Sequence, residues 1–244
     1  MKRNTLMGRR IMLAIVITLT MIGSLGSAGW SQDFSKTGRS KKTTSTTSRG
    51  GCPHTPKPLT ALLPTTTGGG WTVKAHPTLW VYIPYSLTSD ATIEFVLRDD
   101  QNREVYQTKR SGDGIVPGII GLPLPSDKMA PLEIGKTYTW DFMVSCDKVI
   151  DRPAFVSGEV KRVAPDASLK QLTKSPQERS TLYANNLLWY DALTIVGEAL
   201  RQKPGNKLLV DRWKSLLQLP SVGLDAIATE SITPCCTITS KVGE

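Results

Sequence analysis

Histidine is nearly absent from this sequence, which contains only His54 and His76. The motifs Gly-x-Ser-x-Gly and His-Glu-x-x-His and the phosphate loop are also missing. Nucleophilic catalysis by serine or cysteine needs a positioned general base, which is most often histidine. Gly68-Gly69-Gly70 precedes a tryptophan instead of a helix, which predicts a flexible turn. We therefore expect no enzyme active site, no metal and no cofactor.

Excess positive charge is missing from most of the chain. The net charge is +9, but residues 1–50 hold nine of the basic residues and a single acid. Residues 51–244 hold 21 basic and 20 acidic residues and are nearly neutral. Binding to nucleic-acid phosphates needs a concentrated positive field, so the composition predicts no nucleic-acid partner.

Long apolar runs are also absent after the N-terminus. Four basic residues within residues 2–10 precede an apolar stretch from Ile11 to Ile22, and small residues follow up to Gly29. This order is typical of a signal peptide, with cleavage expected after Ala28. As a helix the stretch spans about 18 Å, less than the ~30 Å hydrocarbon core, although an uncleaved anchor remains the alternative. We expect a periplasmic or extracellular protein that meets the membrane only through this segment.

Residues 29–50 form a linker rich in Ser, Thr, Lys and Arg, in which ten of 22 residues are Ser or Thr. Such a composition cannot bury enough apolar surface to offset the entropy of ordering, so we expect disorder. The remaining chain is long enough for a sizeable core. We assign residues 51–164 to a β-sandwich, 165–232 to a helical subdomain packed on it, and 233–244 to a tail.

The first half of the folded part has the period of β-strands. Alternation at 79–83, 93–97 and 138–146, with turn signals about every ten residues, predicts an antiparallel, immunoglobulin-like sandwich. Ile115 to Leu124 contains prolines, which suits an edge strand. Leu132 to Tyr138 resembles a tyrosine corner, in which the hydroxyl bonds the backbone a few residues upstream.

The second half has a helical period. Ser175-Pro176-Gln177-Glu178 predicts a capping box, followed by a helix that ends when Asn185-Asn186 adopts the left-handed conformation. Further helices are expected over about 188–202 and 207–218, with a short one at 224–229. The chain is thus α+β, a sandwich followed by a small helical cap.

Four aromatic residues, Trp71, Trp80, Tyr82 and Tyr85, offer a possible stacking platform for a sugar. Leu79, Val81 and Ile83 already provide one buried face of this strand, so rings on the other face favour a strand covered on both sides. We favour packing over ligand contact.

Two acids lie in strongly apolar surroundings, Asp141 and Asp191. A buried carboxylate with a raised pKa can serve as an acid or base, which would suit a hydrolase of envelope polymers. That hypothesis requires a cleft with at least two carboxyl groups.

Four cysteines follow the signal, and an even number in an exported chain predicts disulfides. Adjacent Cys235 and Cys236 would form a strained ring, so we expect each to reach Cys52 or Cys146. Two of the three possible connectivities do so. An alternative is a zinc or copper(I) site made of Cys52, His54, Cys235 and Cys236.

Five segments of the chain together form a recognisable combination: Leu59–Pro64, Pro77–Tyr85, Phe95–Asp99, Trp189–Leu193 and the pair Cys235-Cys236. They resemble a cyanobacterial family known as domain of unknown function 928, over about residues 51–240. The resemblance implies an exported protein and no established activity.

These observations predict an exported binding or structural module of the cell envelope whose partner is an envelope protein or a glycan. Carbohydrate binding through the exposed aromatic rings and hydrolysis of envelope polymers are the alternatives.

N-terminal sequencing of the exported protein should begin at Gly29. Replacing the small residue read by the peptidase, as in Ala28→Arg, should leave the longer form associated with membranes. A mature protein that still starts at Met1 would favour the anchor.

Overall fold

The structure is a computed structural model that describes residues 32–37, 43–44, 52–147, 153–170 and 175–234. The predicted signal peptide and the Cys235-Cys236 pair lie outside the described residues. The strands are β1 Thr60–Ala61, β2 Gly69–Thr72, β3 Thr78–Ile83, β4 Thr92–Arg98, β5 Glu104–Ser111, β6 Gly118–Pro123, β7 Thr137–Ser145 and β8 Ala154–Arg162. The α-helices are α1 Pro176–Asn185, α2 Trp189–Gln202 and α3 Lys207–Leu217, and short 3-10 helices cover Phe34–Lys36, Ala167–Lys170 and Asp225–Ile227.

The strands form two sheets, one of three strands in the order β1-β3-β6 and one of five in the order β2-β8-β7-β4-β5. All neighbours are antiparallel except β2 and β8, which are parallel. The α+β prediction is confirmed: a sandwich-like pair of sheets precedes three helices. The glycine run predicted to be a flexible turn instead contributes Gly69 and Gly70 to β2.

The strand β7 shows why the chain folds as a sandwich. Its residues alternate between buried and half-buried, which places one face in the core. Trp140, Phe142 and Val144 are fully buried, whereas Asp141 and Met143 lie on the opposite face.

The predicted tyrosine corner is present. The backbone N–H of Glu133 donates to the Tyr138 hydroxyl at 3.1 Å. Between them Gly135 has a φ of 89°, a conformation that favours glycine. The Gly135 N–H donates to the Arg162 carbonyl at 2.7 Å, so the corner joins the start of β7 to the end of β8.

The helix α1 begins with the predicted capping box. The N–H of Glu178 donates to the Ser175 hydroxyl, and the Glu178 carboxylate accepts from the Ser175 N–H. The left-handed residue after α1 is Leu187, with a φ of 59°, and not Asn185 or Asn186. No helix among the described residues is long and apolar enough to cross a membrane.

Aromatic side chains join α2 to both sheets. The Trp189 indole donates to the Leu62 carbonyl at 2.8 Å. The Tyr190 hydroxyl donates to the Glu159 carbonyl at 2.8 Å and accepts from the Trp140 indole at 3.0 Å. Gly197 permits close contact with β3, because a Cβ there would lie 2.5 Å from the Trp80 ring.

Two pieces of the segment predicted to be a disordered linker, residues 32–37 and 43–44, contact the folded part of the chain. Phe34 is fully buried, and its ring meets Trp189 edge-on at 5.1 Å. The Thr37 hydroxyl donates to the Gly69 carbonyl at 3.2 Å, and Thr44 forms a bridge with Thr60. One large aromatic residue therefore anchors a segment whose average composition predicts disorder.

The disulfide joins Cys52 to Cys146, with Cα atoms 4.8 Å apart. The expectation that each of these residues pairs with Cys235 or Cys236 is therefore wrong. The positions of the two cysteines near the end of β7 explain why they pair with each other. Cys146 directly follows β7, and Cys52 lies close enough for its sulfur to be 3.9 Å from the Val144 carbonyl oxygen.

Removal of this bond in Cys52→Ser/Cys146→Ser should lower the free energy of unfolding by about 4–5 kcal/mol, because it closes a loop of 94 residues. Urea unfolding with and without reductant measures the effect. Reductant should destabilise the wild type and leave the double variant unchanged. Non-reducing peptide mapping that links Cys52 to Cys235 or Cys236 would contradict this pairing.

Candidate functional sites

The four aromatic residues considered for sugar stacking do not form an exposed platform. Trp80, Tyr82 and Tyr85 are 1%, 5% and 4% exposed, and Trp71 is half-buried in the other sheet. The Trp80 indole donates to the Thr194 hydroxyl at 3.0 Å, and its ring meets Trp213 at 5.6 Å. Three of the four rings are therefore buried, as expected for packing and not for an exposed sugar platform, and α2 and α3 cover the ring of Trp80.

Asp141 is engaged by neighbouring side chains. It forms an ion pair with the Arg98 guanidinium, Nη1 to Oδ2, at 2.5 Å. The Ser157 hydroxyl donates to its Oδ1, also at 2.5 Å. These contacts join β4, β7 and β8 across the outer face of the five-stranded sheet.

Asp191 lies in the first turn of α2 and is 3% exposed. The Val73 N–H donates to Oδ2 at 3.2 Å. The other carboxylate oxygen, Oδ1, is buried and has no hydrogen-bond partner among the described residues. A buried acceptor without a donor is costly, so this oxygen is a candidate for contact with a ligand.

Burial raises the pKa of Asp191 from 3.8 to about 6, because desolvation disfavours the carboxylate. The Thr72 hydroxyl, the Val73 N–H, the Lys74 ammonium and the N–H of Asp191 itself act in the opposite direction and lower the pKa. Desolvation is the largest of these effects, yet the carboxylate is mostly ionised at neutral pH.

The two acids do not converge. Asp191 follows Tyr190, which contacts Trp140 on the inner face of the five-stranded sheet. Asp141 lies on the outer face, because it is the next residue of β7. The two-carboxylate cleft that the hydrolase hypothesis requires is not formed by this pair.

A cavity of about 200 Å³ lies beside Asp191, between the end of β2, the start of β3 and the helices α1 and α2. His76 is half-buried there, with Nε2 3.3 Å from the Met129 carbonyl oxygen. The sequence singles out Asp191 by its apolar surroundings, but no local pattern relates it to residues 72–78. The polar lining residues are Thr72, Lys74, His76, Thr78, Tyr183, Tyr190, Asp191 and Thr194.

A groove of about 720 Å³ lies between the end of α2, the helix α3 and residues 228–234. Its walls combine apolar residues, including Leu200, Val210 and Trp213, with charged ones such as Arg201 and Lys214. The Trp213 indole N–H is buried and has no partner among the described residues. Sequence reasoning missed this site because its walls come from separate elements.

One wall of the groove is the edge of a sheet. Ile232 forms a parallel bridge with Ile119 of β6. The Ile119 N–H donates to the Ser231 carbonyl, and the Thr233 N–H donates to the Ile119 carbonyl, each at 2.8 Å. Because backbone groups alternate along an extended chain, the N–H and C=O of Ile232 point away from β6. They have no backbone partner among the described residues, so the bridge at Ile232 leaves an open edge beside β6.

The proposed metal-ligand set is not available. Cys52 is bonded to Cys146 and cannot offer a thiolate. His54 is exposed, and Cys235 and Cys236 lie outside the described residues.

The model of the family Domain of Unknown Function (DUF928) matches residues 44–232. The chain belongs to this family. The DUF928 match includes the residues of β1–β8 and α1–α3, which confirms the resemblance seen in the sequence. No curated protein matches the chain. Among solved structures, a putative beta-galactosidase from Bacteroides fragilis is similar over 34% of this chain and 13% of its own, with 10% identity and a TM-score of 0.23.

The buried acid of this DUF928 protein should make stability depend on pH. The folded state holds the Asp191 proton more tightly than the unfolded state, so stability falls as pH rises through the interval from 3.8 to about 6. Between about pH 4 and pH 7 the wild type should lose roughly 2 kcal/mol relative to Asp191→Asn. Urea unfolding across this range measures the difference.

Comparison with Asp191→Asn cancels the contributions of the other titratable groups that face the cavity, which are Lys74, His76, Tyr183 and Tyr190. The exposed Asp225 provides a matched control, and Asp225→Asn should not reproduce the effect. Parallel pH profiles for wild type and Asp191→Asn would contradict the prediction.

Proposed function

We propose that this protein is an exported, non-catalytic binding module of the cell envelope that holds an extended segment of a partner polypeptide in the groove between α2, α3 and residues 228–234. The open sheet edge at Ile232, inside that groove, is the observation that carries the proposal. An extended chain placed there gains backbone hydrogen bonds that a compact partner cannot form.

The walls of the groove offer contacts that suit the side chains of a polypeptide. Leu200, Val210 and Trp213 provide apolar contacts, and Arg201 and Lys214 provide charge. The volume of about 720 Å³ lies within the usual range of ligand sites, about 300–1,000 Å³. A bound strand would point alternate side chains into the groove and toward solvent.

Export is supported by two independent observations. The N-terminal residues have the three-part order of a signal peptide. The Cys52–Cys146 disulfide is typical of proteins in oxidising compartments. The near-neutral composition of residues 51–244 favours a partner other than nucleic acid.

A polypeptide partner is favoured over a glycan. Sugar binding commonly uses exposed aromatic rings, and three of the four candidate rings are buried by packing. Trp213, which lines the groove, is itself only 3% exposed. Backbone pairing and mixed side-chain contacts are therefore the interactions that the groove offers.

Selection of linear peptides from a random display library on the mature protein tests the proposal. We expect enrichment of sequences with alternating apolar residues. Val210→Lys, which places a charge in the groove, should weaken the selected peptides about tenfold or more. Val116→Lys is the matched control, because Val116 is 53% exposed and does not line the groove.

Thermal unfolding of both variants separates lost binding from lost folding. Peptides that bind Val210→Lys as well as the wild type would contradict the groove. A library that yields no enriched peptide would contradict polypeptide binding altogether.

A further inference from the structure

The cavity beside Asp191 has opposite charges at its inner wall and its mouth. Asp191 is almost completely buried, whereas Lys74 is exposed and His76 is half-buried. All three line the same space of about 200 Å³. A ligand that carries both charges on a small frame would match this arrangement.

At the inner wall of the cavity, the Asp191 carboxylate can accept a hydrogen bond from a ligand. Oδ1 of Asp191 lacks a partner among the described residues, while Oδ2 accepts from the Val73 N–H. The carboxylate is ionised at neutral pH and has lost most of its hydration. An ammonium group would supply a donor to Oδ1 together with a second positive charge beside that of Lys74, whereas a neutral hydroxyl would supply a donor alone.

At the mouth of the cavity, the Lys74 ammonium can donate a hydrogen bond to a ligand. The Lys74 ammonium is close enough to lower the pKa of Asp191 and remains exposed to solvent. A carboxylate at the mouth would meet Lys74 and the His76 ring. The Lys74 ammonium would then bind the carboxylate of the ligand while it stays exposed to solvent.

The size of the cavity limits the ligand further. A volume of about 200 Å³ corresponds to roughly seven water molecules, which is the scale of a single small amino acid. The Thr194 hydroxyl accepts from the Trp80 indole, so its own proton is free to be donated to a ligand. The Tyr183 ring adds an apolar surface to the lining of the cavity.

We propose that this cavity binds a free, zwitterionic α-amino acid, with its ammonium group on Asp191 and its carboxylate facing Lys74 and His76. The site is distinct from the groove proposed for a polypeptide, because no residue lines both. It stands whether or not the groove binds a peptide.

Titration of the mature protein with each of the twenty L-amino acids, followed by NMR, tests the proposal. We expect one or more small amino acids to bind saturably at one site. Asp191→Asn, which keeps the shape and removes the charge, should weaken that ligand roughly tenfold or more. Lys74→Met should weaken it several-fold without affecting folding, because Lys74 is exposed.

Two analogues of the strongest ligand examine each charge separately. For L-valine these are isobutylamine, which lacks the carboxylate, and isovalerate, which lacks the ammonium group. Both should bind at least tenfold more weakly than the amino acid. Asp225→Asn and Lys203→Met, which change exposed charges that line neither cavity, should bind like the wild type.

Three results would overturn the proposal. They are the absence of binding by all twenty amino acids at millimolar concentration, equal affinity for the amine analogue, and unchanged affinity in Asp191→Asn. Glucose provides a neutral polyhydroxyl comparison. If it binds more tightly than every amino acid, the ligand of the cavity is a sugar and not an amino acid.

Discussion

The hydrogen bonds of the Tyr190 hydroxyl are the interaction on which the architecture depends. This single group accepts from the indole of Trp140 in β7 and donates to the carbonyl of Glu159 in β8, so it fixes α2 against the five-stranded sheet. The neighbouring indole of Trp189 binds the Leu62 carbonyl beside the three-stranded sheet. Each polar group is fully buried and fully paired, which makes the position of α2 specific as well as stable.

The position of α2 determines the geometry of both candidate sites. Because Tyr190 is fixed, the next residue, Asp191, enters the space beyond β2 and contacts the Val73 N–H. The other end of α2 supplies Leu200 and Arg201 to the groove. Gly197 lies between the two ends and lets Trp80 approach the helix closely. One helix thus carries a polar cavity at its beginning and a mixed groove at its end.

Local patterns in the sequence predicted the helices, most strands, the capping box and the tyrosine corner, because each depends on neighbouring residues. The parallel strand Gly69–Thr72 was missed, since glycines have no side-chain periodicity and this strand gains its partner β8 from far along the chain. The pairing of Cys52 with Cys146 and the contact of Phe34 with Trp189 were missed because each joins residues that are far apart in the chain. The sequence identified Asp191 as an acid in apolar surroundings, but Lys74 and His76 join it only through tertiary packing.

The docking of Phe34 has a consequence for how the protein acquires its structure during synthesis. Its ring packs on Trp189, and its N–H donates to the Ser221 hydroxyl, 187 residues later. A nascent chain therefore cannot seat this segment until nearly all of its residues have left the ribosome. The pairs β4–β5 and β7–β8 join neighbouring strands and can form early, whereas the contact of Phe34 with Trp189 joins residues far apart in the chain. Until that contact forms, Trp189 lacks the cover that Phe34 provides.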